Sequence, residues 1–167
     1  MNKNNYWALV LGSLIGLLMV MGCQQDPCKN TSCQNESVCE EGKCLCQFGY
    51  QGTNCETSWA AKFQGNKYVI EANCGRAYYA DISLDNDTAY LLKIRNLGGY
   101  VSATNCPNYT VNARLISTNE LEIDDVFCGG YTMRGRGVYD PVQKQLSIDY
   151  SCVTPTQTDI CSALIAY

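Results

Sequence analysis

The chain has 167 residues, of which 46% are hydrophobic and 17% charged, with twelve cysteines and no histidine. Cysteine at this density points to an oxidising compartment, and the net charge of −4 excludes a broadly basic nucleic-acid binder. Without histidine, every Ser–His or Cys–His catalytic arrangement and the commonest metal ligand are excluded as well.

Residues 1–22 read as an export signal. A polar start carrying Lys3 precedes the uncharged run Tyr6–Gly22, too short for a comfortable membrane span of ~20 residues. The run ends in Val20-Met21-Gly22-Cys23, which resembles the bacterial lipobox. That resemblance implies acylation of Cys23 as the first residue of the mature chain and attachment to a membrane through lipid, in a bacterial envelope, on the outer membrane. Two acyl groups on one residue give the double hydrophobic signal that stable anchoring requires. Residues 23–27 are then a short tether, and Gln24-Gln25-Asp26 resembles the tags that carry lipoproteins to the surface of Bacteroidota-like cells.

Residues 28–56 hold Cys28, Cys33, Cys39, Cys44, Cys46 and Cys55, and close on Cys44-Leu45-Cys46-Gln47-Phe48-Gly49-Tyr50-Gln51-Gly52-Thr53-Asn54-Cys55. Six cysteines allow fifteen pairings, and spacing alone does not choose among them. The spacing, the aromatic after Gly49 and the second glycine resemble the EGF-like module. The resemblance implies Cys28–Cys39, Cys33–Cys44 and Cys46–Cys55. A segment this short cannot bury enough apolar surface to offset its chain entropy, so cross-links must hold it. The acidic and amide ligands of calcium-binding EGF modules are largely missing around Asp26 and between Cys39 and Cys44. No metal site and no cofactor are expected.

From residue 57 to 167, aromatic and β-branched residues rise and turn signals recur. Thr57 or Ser58 can cap a short helix over Trp59–Phe63, ended by Gly65. Period-two alternation then marks about eight strands, at 67–74, 78–84, 90–95, 110–117, 120–126, 131–139, 145–152 and 160–167. In the first, Tyr68, Ile70, Ala72 and Cys74 share the apolar face. In the second, that face carries Tyr78, Ala80, Ile82 and Leu84. Connections are too short for crossover helices, so the expected fold class is all-β, an antiparallel meander closed into a barrel or folded as a sandwich. Phe63-Gln64-Gly65-Asn66-Lys67-Tyr68 resembles the opening of a lipocalin, although that family separates its Gly and aromatic residue by one position rather than two. The whole 57–167 pattern resembles the β domains that follow an EGF module in Bacteroidota lipoproteins, a likeness that brings no activity with it.

Five cysteines remain in this part. Cys74–Cys161 would tie the first strand to the last and Cys106–Cys128 would clip two loops, leaving Cys152 as a buried thiol. Asp124-Asp125 is the only adjacent carboxylate pair in this part, and neighbouring strand residues face opposite ways, so no catalytic group is expected. Arg134-Gly135-Arg136-Gly137 reads as a curved strand with its glycines inward, not as a nucleic-acid tract. Tyr68, Tyr78, Tyr90, Tyr139 and Tyr150 are expected in the core, and Tyr79, Tyr100, Tyr109 and Tyr131 off it. Asp87-Thr88-Ala89 resembles a Bacteroidota O-glycosylation acceptor, with Thr88 as the modified residue. The expected role is non-enzymatic: a lipid-anchored envelope module that binds a protein or glycan. The alternative is a lipocalin-like carrier with an apolar ligand inside the barrel.

Overall fold

The computed structural model of the chain describes residues 25–100 and 109–167, without the side chain of Cys128. Cys23 and Cys106 lie outside the described residues, and with them the acylation site and the Cys106–Cys128 pairing.

The disulfide-rich segment has little regular structure: the hairpin of β1 (Val38–Glu40) with β2 (Lys43–Leu45), then β3 (Tyr50–Gln51) paired with β4 (Thr57–Ser58). Disulfides join Cys28 to Cys39, Cys33 to Cys44 and Cys46 to Cys55. This segment is fastened to the rest of the chain. The β3–β4 pair crosses the junction, the Trp59 amide donates to the Gly49 carbonyl at 2.7 Å, and the Trp59 indole donates to the Tyr50 carbonyl at 3.0 Å. Phe48 meets the rings of both Trp59 (4.7 Å) and Tyr90 (4.9 Å) edge-on. Trp59–Phe63 forms a 3₁₀ turn with Ser58 at its N-cap but no side-chain capping bond.

Eight strands complete the chain: β5 (Gly65–Glu71), β6 (Arg76–Leu84), β7 (Leu91–Arg95), β8 (Thr110–Leu115), β9 (Glu120–Phe127), β10 (Tyr131–Asp140), β11 (Gln145–Val153) and β12 (Thr158–Ala166). Each pairs antiparallel with the next, and β12 returns to β5, so the meander is a closed barrel and not a sandwich. The turns use local side-chain acceptors. Asp140 takes the amides of Val142 and Gln143, and Ser117 those of Asn119 and Glu120.

The closing seam is the shortest ladder, with Leu164 opposite Ile70 and Ile165 opposite Val69. It is extended by other means. Where β5 gives way to a 3₁₀ turn at Ala72–Cys74, the Asn73 side chain donates to the Ile160 carbonyl (3.2 Å) and accepts the Ser162 amide (3.0 Å). An amide side chain thus stands in for the missing strand, and Cys74–Cys161 locks the same place covalently. Ala72 and Cys74 therefore do not continue the strand as the alternation suggested.

The interior is filled by side chains from every strand, among them Val69, Ile82, Leu92, Ile94, Met133, Leu146, Ile148 and Ile165. At the end joined to the disulfide-rich segment, Phe63 from the 3₁₀ turn plugs the barrel against Tyr139 and Tyr167 (ring centroids 5.4 and 5.8 Å). In β10 the arginines 134 and 136 point out, and Gly135 and Gly137 lie inward. A Cβ on Gly135 would sit 2.5 Å from the Asp149 carbonyl oxygen, so only glycine lets β11 approach so closely.

Two expectations about facing are overturned. In β5 the buried side chains are Val69 and Glu71, while Tyr68 and Ile70 point to solvent. The phase is reversed because the apparent polar face carries groups with partners inside: Lys67 lies over the Tyr167 ring at 4.1 Å, and Glu71 joins a polar network. Tyr100 and Tyr109, expected off the core, are buried in it, since their hydroxyls find partners there.

Candidate functional site

The far end of the barrel, opposite the disulfide-rich segment, is polar. Glu71, Arg76, the 96–100 turn, the β9–β10 turn, the β11–β12 loop and the seam disulfide all meet there. At its centre is Glu71, a fully buried carboxylate. The end of β5 places it inside, and the short connection into β6 puts Arg76 directly opposite in register. Arg76 donates through Nε to Glu71 Oε2 at 3.0 Å. The Tyr78 and Tyr150 hydroxyls donate to Glu71 Oε1 at 2.5 and 2.6 Å. Three donors on one carboxylate satisfy what burial would otherwise leave costly.

The guanidinium continues outward. Arg76 reaches the Cys161 sulfur (2.8 Å), the Tyr100 hydroxyl (3.3 Å) and Asp159 Oδ2 (3.5 Å), and lies over the Tyr100 ring at 4.6 Å. The Tyr100 hydroxyl donates to Asp159 Oδ2 at 2.9 Å, and the Gln157 side-chain amide holds Asp159 Oδ1 at 3.0 Å. The 96–100 turn is fitted onto this cluster: the Gly98 amide donates to the Tyr78 hydroxyl at 2.6 Å, and Gly98 adopts φ +91°. A Cβ there would collide with the Tyr100 ring at 2.3 Å. The Tyr109 hydroxyl donates to the Leu97 carbonyl and accepts the Tyr100 amide.

Electrostatics follow from this burial. Burial first, then the Glu71 bond, pushes the Tyr78 hydroxyl far above the usual tyrosine range. Tyr150 is raised by burial, by Tyr78 and by Glu71. Burial works against the charge of Arg76, but the Tyr100 hydroxyl and the negative surroundings outweigh it and hold the guanidinium charged. Cys152 is a buried free thiol at this end, raised by burial, which outweighs the opposing influence of Tyr100, and so kept protonated. Glu71, Cys74 and Cys161 lie close enough to suggest a metal trio. Both sulfurs are committed to the disulfide, so neither can serve as a thiolate ligand.

Above the network opens a cleft of about 410 Å³ lined by Arg76, Tyr100, Tyr131, Thr154, Gln157 and Asp159, among others. Tyr131 is braced from behind by Phe127, which stacks in turn on Tyr109. Thr154 folds the β11–β12 loop by accepting the Thr156 and Gln157 amides.

Other residues singled out by sequence fall elsewhere. Asp124 pairs with Arg134 at 2.8 Å, whereas Asp125 accepts the Asn112 amide at 2.6 Å, so the two carboxylates do not converge. Thr88 sits in the β6–β7 turn, where its carbonyl accepts the Leu91 amide at 3.1 Å. Among the described residues, no helix is long and apolar enough to cross a membrane. The outer wall is charged over β7–β10, with Arg114–Glu122–Arg136 as one chain of ion pairs. Over β12–β5–β6 it is apolar, exposing Leu164 (41%), Ile70 (47%), Tyr68 (49%) and Tyr79 (63%). Sequence reasoning passed over Glu71, Arg76 and Asp159. The one available signal was an acid and a base, Glu71 and Arg76, flanking a tight turn.

Comparison with known proteins shows no family for the chain. No protein-family model and no curated protein matches the chain. Among solved structures, a redesigned β barrel is similar at a TM-score of 0.42 and 11% identity, covering 67% of this chain and 97% of that one. The structure of EF1p2_mFAP2b bound to DFHBI is similar at 0.43 and 12%, covering 65% and 96%.

Proposed function

We propose that this chain is a non-enzymatic binding module of a bacterial envelope, held by lipid on Cys23 and presenting the far end of its barrel to a protein or glycan. One observation carries the reading: the barrel is plugged by Phe63 at the end nearer the tether, and its polar cleft opens at the opposite end. The disulfide-rich segment, fastened through Phe48 and Trp59, then acts as a spacer that points the cleft outward. A filled interior favours this reading over an internal carrier. The carboxylates near the cleft also favour binding over catalysis, because Glu71 and Asp159 are both tied to Arg76 instead of facing each other across an open site.

Two measurements test it. Cells fed an alkynyl palmitate should label the parent chain but not Cys23→Ser, and an unlabelled parent overturns the anchor. The mature chain, immobilised by its amino-terminal end, should retain a component of its host's envelope extract, and Gln157→Ala with Tyr131→Phe should cut that retention at least tenfold. No retention, or retention that ignores the double variant, overturns binding at the cleft.

A further inference from the structure

Resting on that reading, we infer that the cleft is a saccharide site and that its ligand is uncharged. The argument begins with charge. Arg76 is the guanidinium in the cleft lining, and it is already engaged by two carboxylates, Glu71 at 3.0 Å and Asp159 at 3.5 Å. A sulfate or phosphate would have to compete with both and approach their negative field, which like-charge repulsion opposes. A cation meets the opposite difficulty: Glu71 is fully buried behind Arg76, and Asp159 is already paired. A hard metal ion needs six or more oxygens, which one accessible carboxylate does not supply.

What the cleft does offer suits a polyol. Asp159 is locked at both oxygens, Oδ1 by the Gln157 amide and Oδ2 by the Tyr100 hydroxyl and Arg76, and Oδ1 keeps a second lone pair. Oδ1 is therefore a fixed acceptor for a ligand hydroxyl. The Arg76 guanidinium, immobilised by Glu71 and stacked on Tyr100, is a planar donor beside it. Tyr131, backed by Phe127, adds an aromatic surface for the C–H face of a sugar ring. Polar groups whose orientation is fixed before binding, next to a flat apolar surface, form the combination that small-molecule sites use for orientation and specificity. The volume of about 410 Å³ lies within the roughly 300–1,000 Å³ of such sites.

The test is an amide-shift titration of the mature chain with glucose, galactose, mannose and N-acetylglucosamine, with sulfate and choline as charged probes. At least one sugar should saturate with a Kd in the millimolar range, moving Gly99, Tyr131, Gln157 and Asp159. Gln157→Ala and Asp159→Asn should each weaken it tenfold or more, while sulfate and choline do not saturate. Gln157 is exposed, so its variant keeps the test readable even if Asp159→Asn disturbs the fold. Saturation by sulfate or choline, no saturation by any sugar, or shifts indifferent to both variants overturns the saccharide assignment. If the envelope component is still retained through the cleft while every sugar fails, only the ligand class falls. If neither binds, the binding reading falls with it.

Discussion

Removing the carboxylate of Glu71 is the sharpest way to ask whether the far end is a built network. Glu71 is fully buried and receives the Tyr78 and Tyr150 hydroxyls at 2.5 and 2.6 Å and Arg76 at 3.0 Å. Hydrogen bonds to a charged group contribute about 1.5–3 kcal/mol each. The Arg76 side chain is 26% exposed and keeps Asp159, so its share is discounted for solvent. The two tyrosines, Tyr150 buried and Tyr78 half-buried, are left without their acceptor and carry most of the cost. Glu71→Ala should therefore lose about 3–5 kcal/mol. Glu71→Gln keeps the volume and an oxygen for the two hydroxyls but sets its NH₂ against the Arg76 Nε–H, and should lose about 2 kcal/mol. Urea unfolding with disulfides intact, followed by Trp59 fluorescence and far-ultraviolet circular dichroism, measures both. A double-mutant cycle with Tyr78→Phe isolates the network, since the tyrosine should cost less once its acceptor is gone. Single variants within about 0.5 kcal/mol of the parent, or a cycle additive to within about 0.5 kcal/mol, would refute the reasoning.

Alkali attacks the same cluster from the other side. Tyr78, Tyr100, Tyr109, Tyr150 and Tyr167 are all raised, burial being the largest cause in each. The folded chain holds these protons while the unfolded chain releases them above about pH 10, so stability is complete below that pH and falls above it. Each such group can contribute up to about 1.4 kcal/mol per pH unit, and a stability profile flat to pH 12 would contradict the burial. Phe48→Ala should free the disulfide-rich segment to tumble apart from the barrel in ¹⁵N relaxation while barely moving the barrel's unfolding midpoint; unchanged tumbling would show that the aromatic clasp is dispensable. Cys74→Ser with Cys161→Ser should cost about 2–5 kcal/mol and speed amide exchange first at the β12–β5 seam. Loss spread evenly over all strands would argue against a local role for the bridge.

The strand positions were legible because alternation survives wherever one face meets a core and the other meets water. The antiparallel meander followed from eight such runs joined by short turns, whereas its closure as a barrel rather than a sandwich rests on the return of β12 to β5. β5 escaped because its inward face carries Lys67, Val69 and Glu71 and its outward face Tyr68 and Ile70. Hydrophobicity alone reads that strand backwards, because a buried charge with three partners looks in sequence like a solvated one. Tyr100 and Tyr109 misled for the same reason: a tyrosine beside glycines looks exposed unless the acceptor waiting for its hydroxyl is known. The cleft was illegible for a different reason. Arg76 and Asp159 come from β6 and β12, and only the return of β12 to β5 brings those strands near each other.

The bridge between Cys74 and Cys161 has a consequence for wear as well as for folding. It joins residues separated by 87 positions, so nearly the whole barrel is threaded through one covalent loop. A protease that cuts an exposed turn inside that loop, at Asp85–Asp87 or Pro141–Lys144, releases no fragment. Both pieces remain bonded, and the strands on either side of the cut stay laced to their neighbours. A nick there becomes damage the chain can carry while still holding its shape.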